Sequence, residues 1–349
     1  MFTLKSSKED FPKNTGKKYK VLINAGGGLF GYVITNFMSY LDFDLYSKVD
    51  CVAGTSIGGI LTLAYCCSND YKWLNEIFRT GGPQIFKKIN MLYGIAAPKY
   101  NNKELRKFLE KIYGDKKFSD INKIAEKDLH TIITVMDFTL TQPRIFENIN
   151  LKEEQDVSLV DLGMFTSAAP TYFDAFDFDW KLYQKYDPKT VPINEKILLL
   201  TAEEHELVQQ NKKRRKASTL VDGGVLENIP IISTYTTLHN ELGVEPKDID
   251  MFVLGTGNFV NKKDYTAKDI SKWNMLDYCL KMIVPYVTSS NEQMSVFWGS
   301  QMGFNSFTYF NPIDGSGEMD DANILPGLQK QCEKYKDQFL EEINNFLNK

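Results

Sequence analysis

The sequence predicts an α/β fold in which a parallel sheet is covered by helices. Three observations carry that expectation. Two apolar strand-like runs, Tyr19–Ala25 and Val49–Ala53, each end in a glycine-flanked turn and lead directly into an apolar helical run, the repeat expected of a parallel, helix-covered sheet. The charge-free stretches this creates, Val21–Leu41 and Cys51–Asn69, are long enough for a membrane span. Each carries several Gly, Ser, Thr or Asn, however, and Asp42, Asp44, Lys48 and Asp50 separate them, so they read as buried strand-plus-helix units. Finally, 43% hydrophobic and 25% charged residues over 349 positions is ordinary globular usage, which excludes a disordered, collagenous or disulfide-stapled chain.

Taken in order, Tyr19–Ala25 is the first strand and the helix after it runs from about Tyr32 to Leu41. Val49–Ala53 is the second strand, with a helix from Ile57 to about Cys67. Further strands are expected at Thr131–Met136, Thr219–Val221 and Met251–Leu254, and helices at Asn102–Tyr113 and Val157–Ser167. Asp174–Lys216 differs in character: an aromatic and acidic opening, a Pro-containing turn, an apolar Leu triplet and a charged run ending in Lys212–Lys216. It reads as an insertion or cap. A lid or membrane contact, with Phe176, Phe178 and Trp180 beside a basic cluster, and a solvated surface excursion are the two roles open to it. Gln331–Leu347 reads as one terminal amphipathic helix docked on the core, in preference to a membrane-surface helix, because its polar face is not notably basic.

Charge and cysteine usage narrow the setting. A net charge of -4 gives no footprint for a nucleic-acid duplex. The five cysteines form no C-x-x-C pair, which suits a reduced, cytoplasmic protein. Residues 1–18 form a polar, Lys-rich tail without the apolar core of a secretory signal. Three histidines leave little room for His-based zinc or triad chemistry.

The sharpest motif is Gly54-Thr55-Ser56-Ile57-Gly58-Gly59, a G-x-S-x-G between a predicted strand and a predicted helix. Small residues on both sides of Ser56 allow a sharp turn that lifts its Oγ out of the chain. The alternative is an ordinary glycine-rich turn with Ser56 capping the helix. Gly26-Gly27-Gly28-Leu29-Phe30-Gly31 follows the first strand and formally matches G-x-G-x-x-G; its N–H groups could hold either a pyrophosphate or the oxyanion of an acyl transfer. The dinucleotide reading wants an acid at the end of the second strand, whereas Asp42 and Asp44 precede that strand. A serine nucleophile needs a base, and His130, His205 and His239 lie in unpromising positions. The better candidate is Asp222, followed by Gly223 and Gly224, which let a carboxylate turn in; a plain Asp-Gly turn is the alternative.

Together these motifs resemble the patatin-like phospholipases, lipid acyl hydrolases that use a Ser-Asp dyad. The family's glycine loop is similar to Ala25–Gly31, its G-T-S-x-G-G elbow to Gly54–Gly59, and its D-G-[GA] to Asp222–Gly224. Ser167–Phe173, Asn228 with Pro230, Leu254–Gly257 and Met319–Ala322 are similar to secondary blocks, so the resemblance runs from about Lys20 to the end of the sequence.

The resemblance implies a three-layer α/β/α fold with a central, mostly parallel sheet, forming one catalytic domain over residues 19–349 with the insertion at about 174–216. It implies Ser56 as nucleophile and Asp222 as base. The N–H groups of Gly27, Gly28 and Leu29 would be the oxyanion hole, with Gly26, Gly31, Gly54, Gly58, Gly223 and Gly224 shaping the turns. It implies no metal or organic cofactor, membrane phospholipids or other lipid esters as substrate, transient contact with a membrane surface, and room for an activator of unknown kind. Phe30 stands where the family commonly has Arg or Lys, which leaves the headgroup open. A carboxylate is a weak base unless desolvated, so Asp222 is expected in a mostly apolar site with a raised pKa. Two other readings stand beside this one: a nucleotide-binding protein using Gly26–Gly31, and a catalytically silent lipid-binding relative, which fits poorly with intact motifs.

Overall fold

A computed structural model describes residues 16–87, 98–151, 156–179, 217–259, 270–272, 291–315 and 320–349. In chain order the strands of its central sheet are β1 (Tyr19–Asn24), β2 (Cys51–Thr55), β3 (His130–Asp137), β4 (Gln142–Glu147), β5 (Phe176–Asp179), β6 (Ala217–Asp222), β7 (Ile249–Leu254) and β8 (Ser306–Phe310). The helices that pack on them are α1 (Gly31–Met38), α2 (Ile57–Cys67), α3 (Tyr71–Ile85), α4 (Asn102–Tyr113), α5 (Leu159–Thr166), α6 (Ile231–Leu242), α7 (Asn291–Gln301), α8 (Leu325–Lys334) and α9 (Lys336–Leu347). None of the described helices is long and apolar enough to cross a membrane.

The central strands are apolar at nearly every position because both of their faces are buried. Leu22, Val52, Phe252 and Leu254 face α1 to α5, α8 and α9. Val21, Ile23, Cys51, Ala53, Met251 and Val253 face the layer of α6 and α7. The result is three layers, helix, sheet and helix, with β3-β2-β1-β7-β8 paired in parallel and β4, β5 and β6 antiparallel at one side.

One register decides where the site forms. β3 carries β4 along one edge from Ile132 to Asp137. Its other edge is shared end to end: β2 occupies it as far as the Thr55–Thr134 pair, and β6, running the opposite way, takes it from the Asp222–Val135 pair onward. Residue 56 and residue 222 therefore emerge side by side.

Two expectations change. The segment expected as an insertion from Asp174 begins inside the fold: Phe176–Asp179 is an edge strand of the sheet, antiparallel to β6. Period-2 alternation explains this, since Phe176 and Phe178 both pack on Phe165 and Phe178 also meets Phe146. Residues 180–216, with Trp180 and Lys212–Lys216, lie outside the described residues, as do residues 1–15 of the polar tail and His205. The expected single helix Gln331–Leu347 is two helices that break at Tyr335. Leu328 and Cys332 seat the first, and Phe339, Ile343 and Phe346 seat the second on the same core.

Candidate functional site

Ser56 sits on the turn between β2 and α2 with φ 55° and ψ -128°, a backbone conformation strained for any residue with a Cβ. The surroundings hold it there. Its N–H donates to Thr166 Oγ1 at 2.9 Å, and that hydroxyl donates to the Thr134 carbonyl at 2.8 Å, fastening the turn to the end of α5 and to β3. Gly58 lies so close to the Asn24 and Ala25 carbonyls that a Cβ would collide with backbone, which lets α2 start hard against β1. The Ser56 side chain makes no cap bond to α2. It donates instead to Asp222 Oδ2 at 2.7 Å.

Asp222 is the last residue of β6, and its N–H donates to the Ala168 carbonyl at 3.0 Å. Its second oxygen, Oδ1, accepts the Gly224 N–H at 2.7 Å. Burial pushes the carboxyl up from 3.8 to about 6, against the opposing pull of the bonds from Ser56 and Gly224. Neither of the described histidines is near. His130 pairs with Cys51 at the opposite end of the sheet, and His239 bonds the Val244 carbonyl at the end of α6.

The glycine loop closes the third side. Gly26 donates its N–H to the Asn228 carbonyl at 2.9 Å, and Gly27, at φ 151°, approaches Thr256 so closely that a Cβ would overlap its hydroxyl. The N–H groups of Gly27, Gly28 and Leu29 donate to no acceptor among the described residues. Gly27 and Gly28 line a cavity of about 270 Å³ together with Ser56 and Asp222; Leu29 does not reach it. Phe30 turns away and is buried in the core.

The rest of the cavity wall is mostly apolar, with Ile57, Ile60, Phe78, Ile85, Phe86 and Leu105 among its members; Ser167, Tyr172 and Asn228 are polar, and among the described residues no Lys or Arg lines it. Among the described residues a pyrophosphate has no cation to meet there, and no acid ends β2. An apolar chain fits, with its polar end at Ser56. Chemically, the arrangement joins a hydroxyl, a desolvated carboxylate that can accept its proton, and the N–H groups of Gly27 and Gly28, which meet no acceptor among the described residues.

The model of the patatin-like phospholipase family matches residues 22–235. The chain belongs to that family. The patatin-like chain is 27% identical over 297 residues to Patatin-like protein 1 of Oryza sativa subsp. indica, covering 75% of this chain and 64% of the rice protein. It is 24% identical over 305 residues to Patatin-like protein 2 of Arabidopsis thaliana, covering 76% and 67%. A shorter match, 27% over 175 residues and 45% and 48% of the two chains, is to the cGAMP-activated phospholipase of Escherichia coli (strain TW11681). The chain thus spans about two thirds of the length of the plant relatives. Among solved structures it is similar to VipD from Legionella pneumophila, at TM-score 0.43 and 12% identity over 98% of this chain and 72% of that one.

The structure brings together Ser56, Asp222 and the loop glycines, all singled out from sequence. It adds residues that sequence reasoning missed in this patatin-like chain. Thr166, which holds the Ser56 N–H, directly precedes the Ser167–Phe173 block; Thr256 lies inside the Leu254–Gly257 block, where only the surrounding glycines drew notice. Glu292 and Tyr309 carried no local signal at all. Their relevance comes from the Asn228 side chain, which donates to Glu292 at 3.4 Å, while Tyr309 donates to the same carboxylate at 2.5 Å.

Proposed function

We propose that this chain is a lipid acyl hydrolase of the phospholipase A type, in which Ser56 is the nucleophile and Asp222 the base, with no histidine between them. The observation that carries the reading is the 2.7 Å bond from Ser56 Oγ to a buried carboxylate, made by a serine that does not cap its own helix. Asp222 draws the proton as the oxygen attacks the ester carbonyl. The negative charge that develops on the carbonyl oxygen faces the N–H groups at Gly27 and Gly28. The protonated Asp222 then hands its proton to the leaving alcohol, which departs and leaves a fatty-acyl ester on Ser56. Water, deprotonated by the same carboxylate, releases the fatty acid.

The apolar cavity supports a long acyl chain as the bound portion of the substrate. Lipid esters reside in bilayers, so the reading includes transient association with a membrane surface. The test is release of fatty acid from phosphatidylcholine vesicles by the purified protein, alongside labelling by a fluorophosphonate probe. Ser56→Ala and Asp222→Asn are expected to lose release, and Ser56→Ala to lose labelling as well. Full release by either variant would overturn the dyad.

A further inference from the structure

The Gly26 carbonyl oxygen is gripped from two sides. Thr256 Oγ1 donates to it at 2.8 Å and Asn228 Nδ2 at 3.4 Å, while the backbone carbonyl of Asn228 receives the Gly26 N–H. Both gripping side chains are buried. Asn228 is held in turn: its Nδ2 also donates to Glu292 Oε2, Glu292 Oε1 accepts the Tyr309 hydroxyl, and that hydroxyl accepts Asn311 Nδ2 at 2.7 Å. The first turn of α7 is pinned to the same region by a bond from Asn291 to the Leu226 carbonyl. Neither Glu292 nor Thr256 has a part in the proton transfers described above.

The peptide that joins Gly26 to Gly27 is trans and planar, so its C=O and N–H point in opposite directions. Fastening the oxygen toward Thr256 and Asn228 therefore fixes the Gly27 N–H in the direction opposite to the oxygen, at a residue that lines the cavity with Ser56. Two glycines in succession would otherwise let this plane rotate, and a rotated donor cannot meet the developing oxyanion. We propose that Thr256 and Asn228, the latter held by Glu292, are positioning residues that clamp the Gly26–Gly27 peptide plane and so aim the Gly27 N–H at the reacting carbonyl oxygen. The inference rests on the hydrolase reading.

The experiment measures kcat, KM and thermal unfolding on a water-soluble ester, p-nitrophenyl butyrate, for wild type, Ser56→Ala, Thr256→Val, Thr256→Ser and Glu292→Ala. Removing an oxyanion donor outright costs about 10² to 10³ in turnover, so loosening its aim in Thr256→Val is expected to lower kcat by about 10- to 100-fold with KM within about twofold. Thr256→Ser restores the donor and is expected to recover most of that loss. Glu292→Ala, acting one step further away, is expected to lower kcat by about 3- to 10-fold. A folded Thr256→Val with wild-type kcat overturns the clamp, as does a kcat loss that tracks lowered thermal stability and is not recovered by Thr256→Ser. If Thr256→Val does not fold, Tyr309→Phe, which removes one bond to Glu292, decides in the same terms. Ser56→Ala as active as wild type overturns the hydrolase reading itself. An inactive Ser56→Ala beside a fully active Thr256→Val overturns the clamp alone.

Discussion

Replacing Asp222 with asparagine is expected to exchange activity for stability, and the pH dependence of that exchange follows from the site. Asparagine is nearly isosteric. It can accept the Gly224 N–H through its oxygen and donate to Ser56 Oγ through its nitrogen, so both bonds of the native carboxylate have counterparts. What disappears is a buried charge. Burial raises the Asp222 carboxyl from 3.8 to about 6. In the unfolded chain the group ionises near 4, so between about pH 4 and 6 the folded chain holds a proton that the unfolded chain has released. The stability contributed by the neutral carboxyl is thus present at low pH and is lost as pH rises through about 6. The loss amounts to about 3 kcal/mol, and the asparagine variant does not suffer it. Denaturant unfolding of both proteins at a series of pH values from 4 to 8 measures the difference. The gap in favour of Asp222→Asn is expected to widen by about 3 kcal/mol up to pH 7 and then stay level. A gap that is constant, or that closes as pH rises, would refute the claim that Asp222 is a desolvated carboxylate with a raised pKa.

With Asp222 as the proposed base, kcat/KM for a soluble ester is expected to rise with pH through an acid limb near 6, because only the ionised carboxylate can accept the serine proton. Ser56→Gly is expected to be inactive yet more stable than Ser56→Ala by about 1 kcal/mol in unfolding experiments, since glycine adopts φ 55° without strain. Gly58→Ala drives a methyl into the Asn24 carbonyl, and a melting curve is expected to register a loss of about 3 kcal/mol. Gly82 lines the cavity near Leu29 and Phe78, so Gly82→Leu is expected to lower kcat/KM for long-chain esters by about tenfold relative to butyrate esters.

What could be read from the sequence follows from where the information is stored. The elbow at Ser56 and the loop at Gly26–Gly31 are local events, written in glycine spacing and in the switch from strand to helix pattern. Pro143 and Arg144 interrupt the apolar pattern of β4, which survives as a strand because it lies on the edge of β3 and needs no unbroken ladder. In α3, Gly81-Gly82-Pro83 reads as a break, yet the helix continues to Ile85 because Leu74, Ile77, Phe78 and Ile85 are buried against the core. The break at Tyr335 was hidden for the opposite reason: apolar residues continue across it at helical spacing. Thr166 and Thr256 act across long sequence separations, and a lone threonine announces nothing about the residue it will meet.

The shared edge of β3 carries a consequence for how this protein comes into being. Ser56 reaches its turn through contacts made by the first half of the chain, but the carboxylate that meets it arrives 166 residues later, on a strand that docks against the stretch of β3 left open beyond β2. Until β6 is in place that stretch of edge is unpaired, and the serine has a turn without its carboxylate partner. The Ser56–Asp222 bond thus depends on a long-range pairing, a slow class of event in folding. A chain still emerging from the ribosome, or one cut before residue 217, presents the serine turn without the carboxylate that meets it.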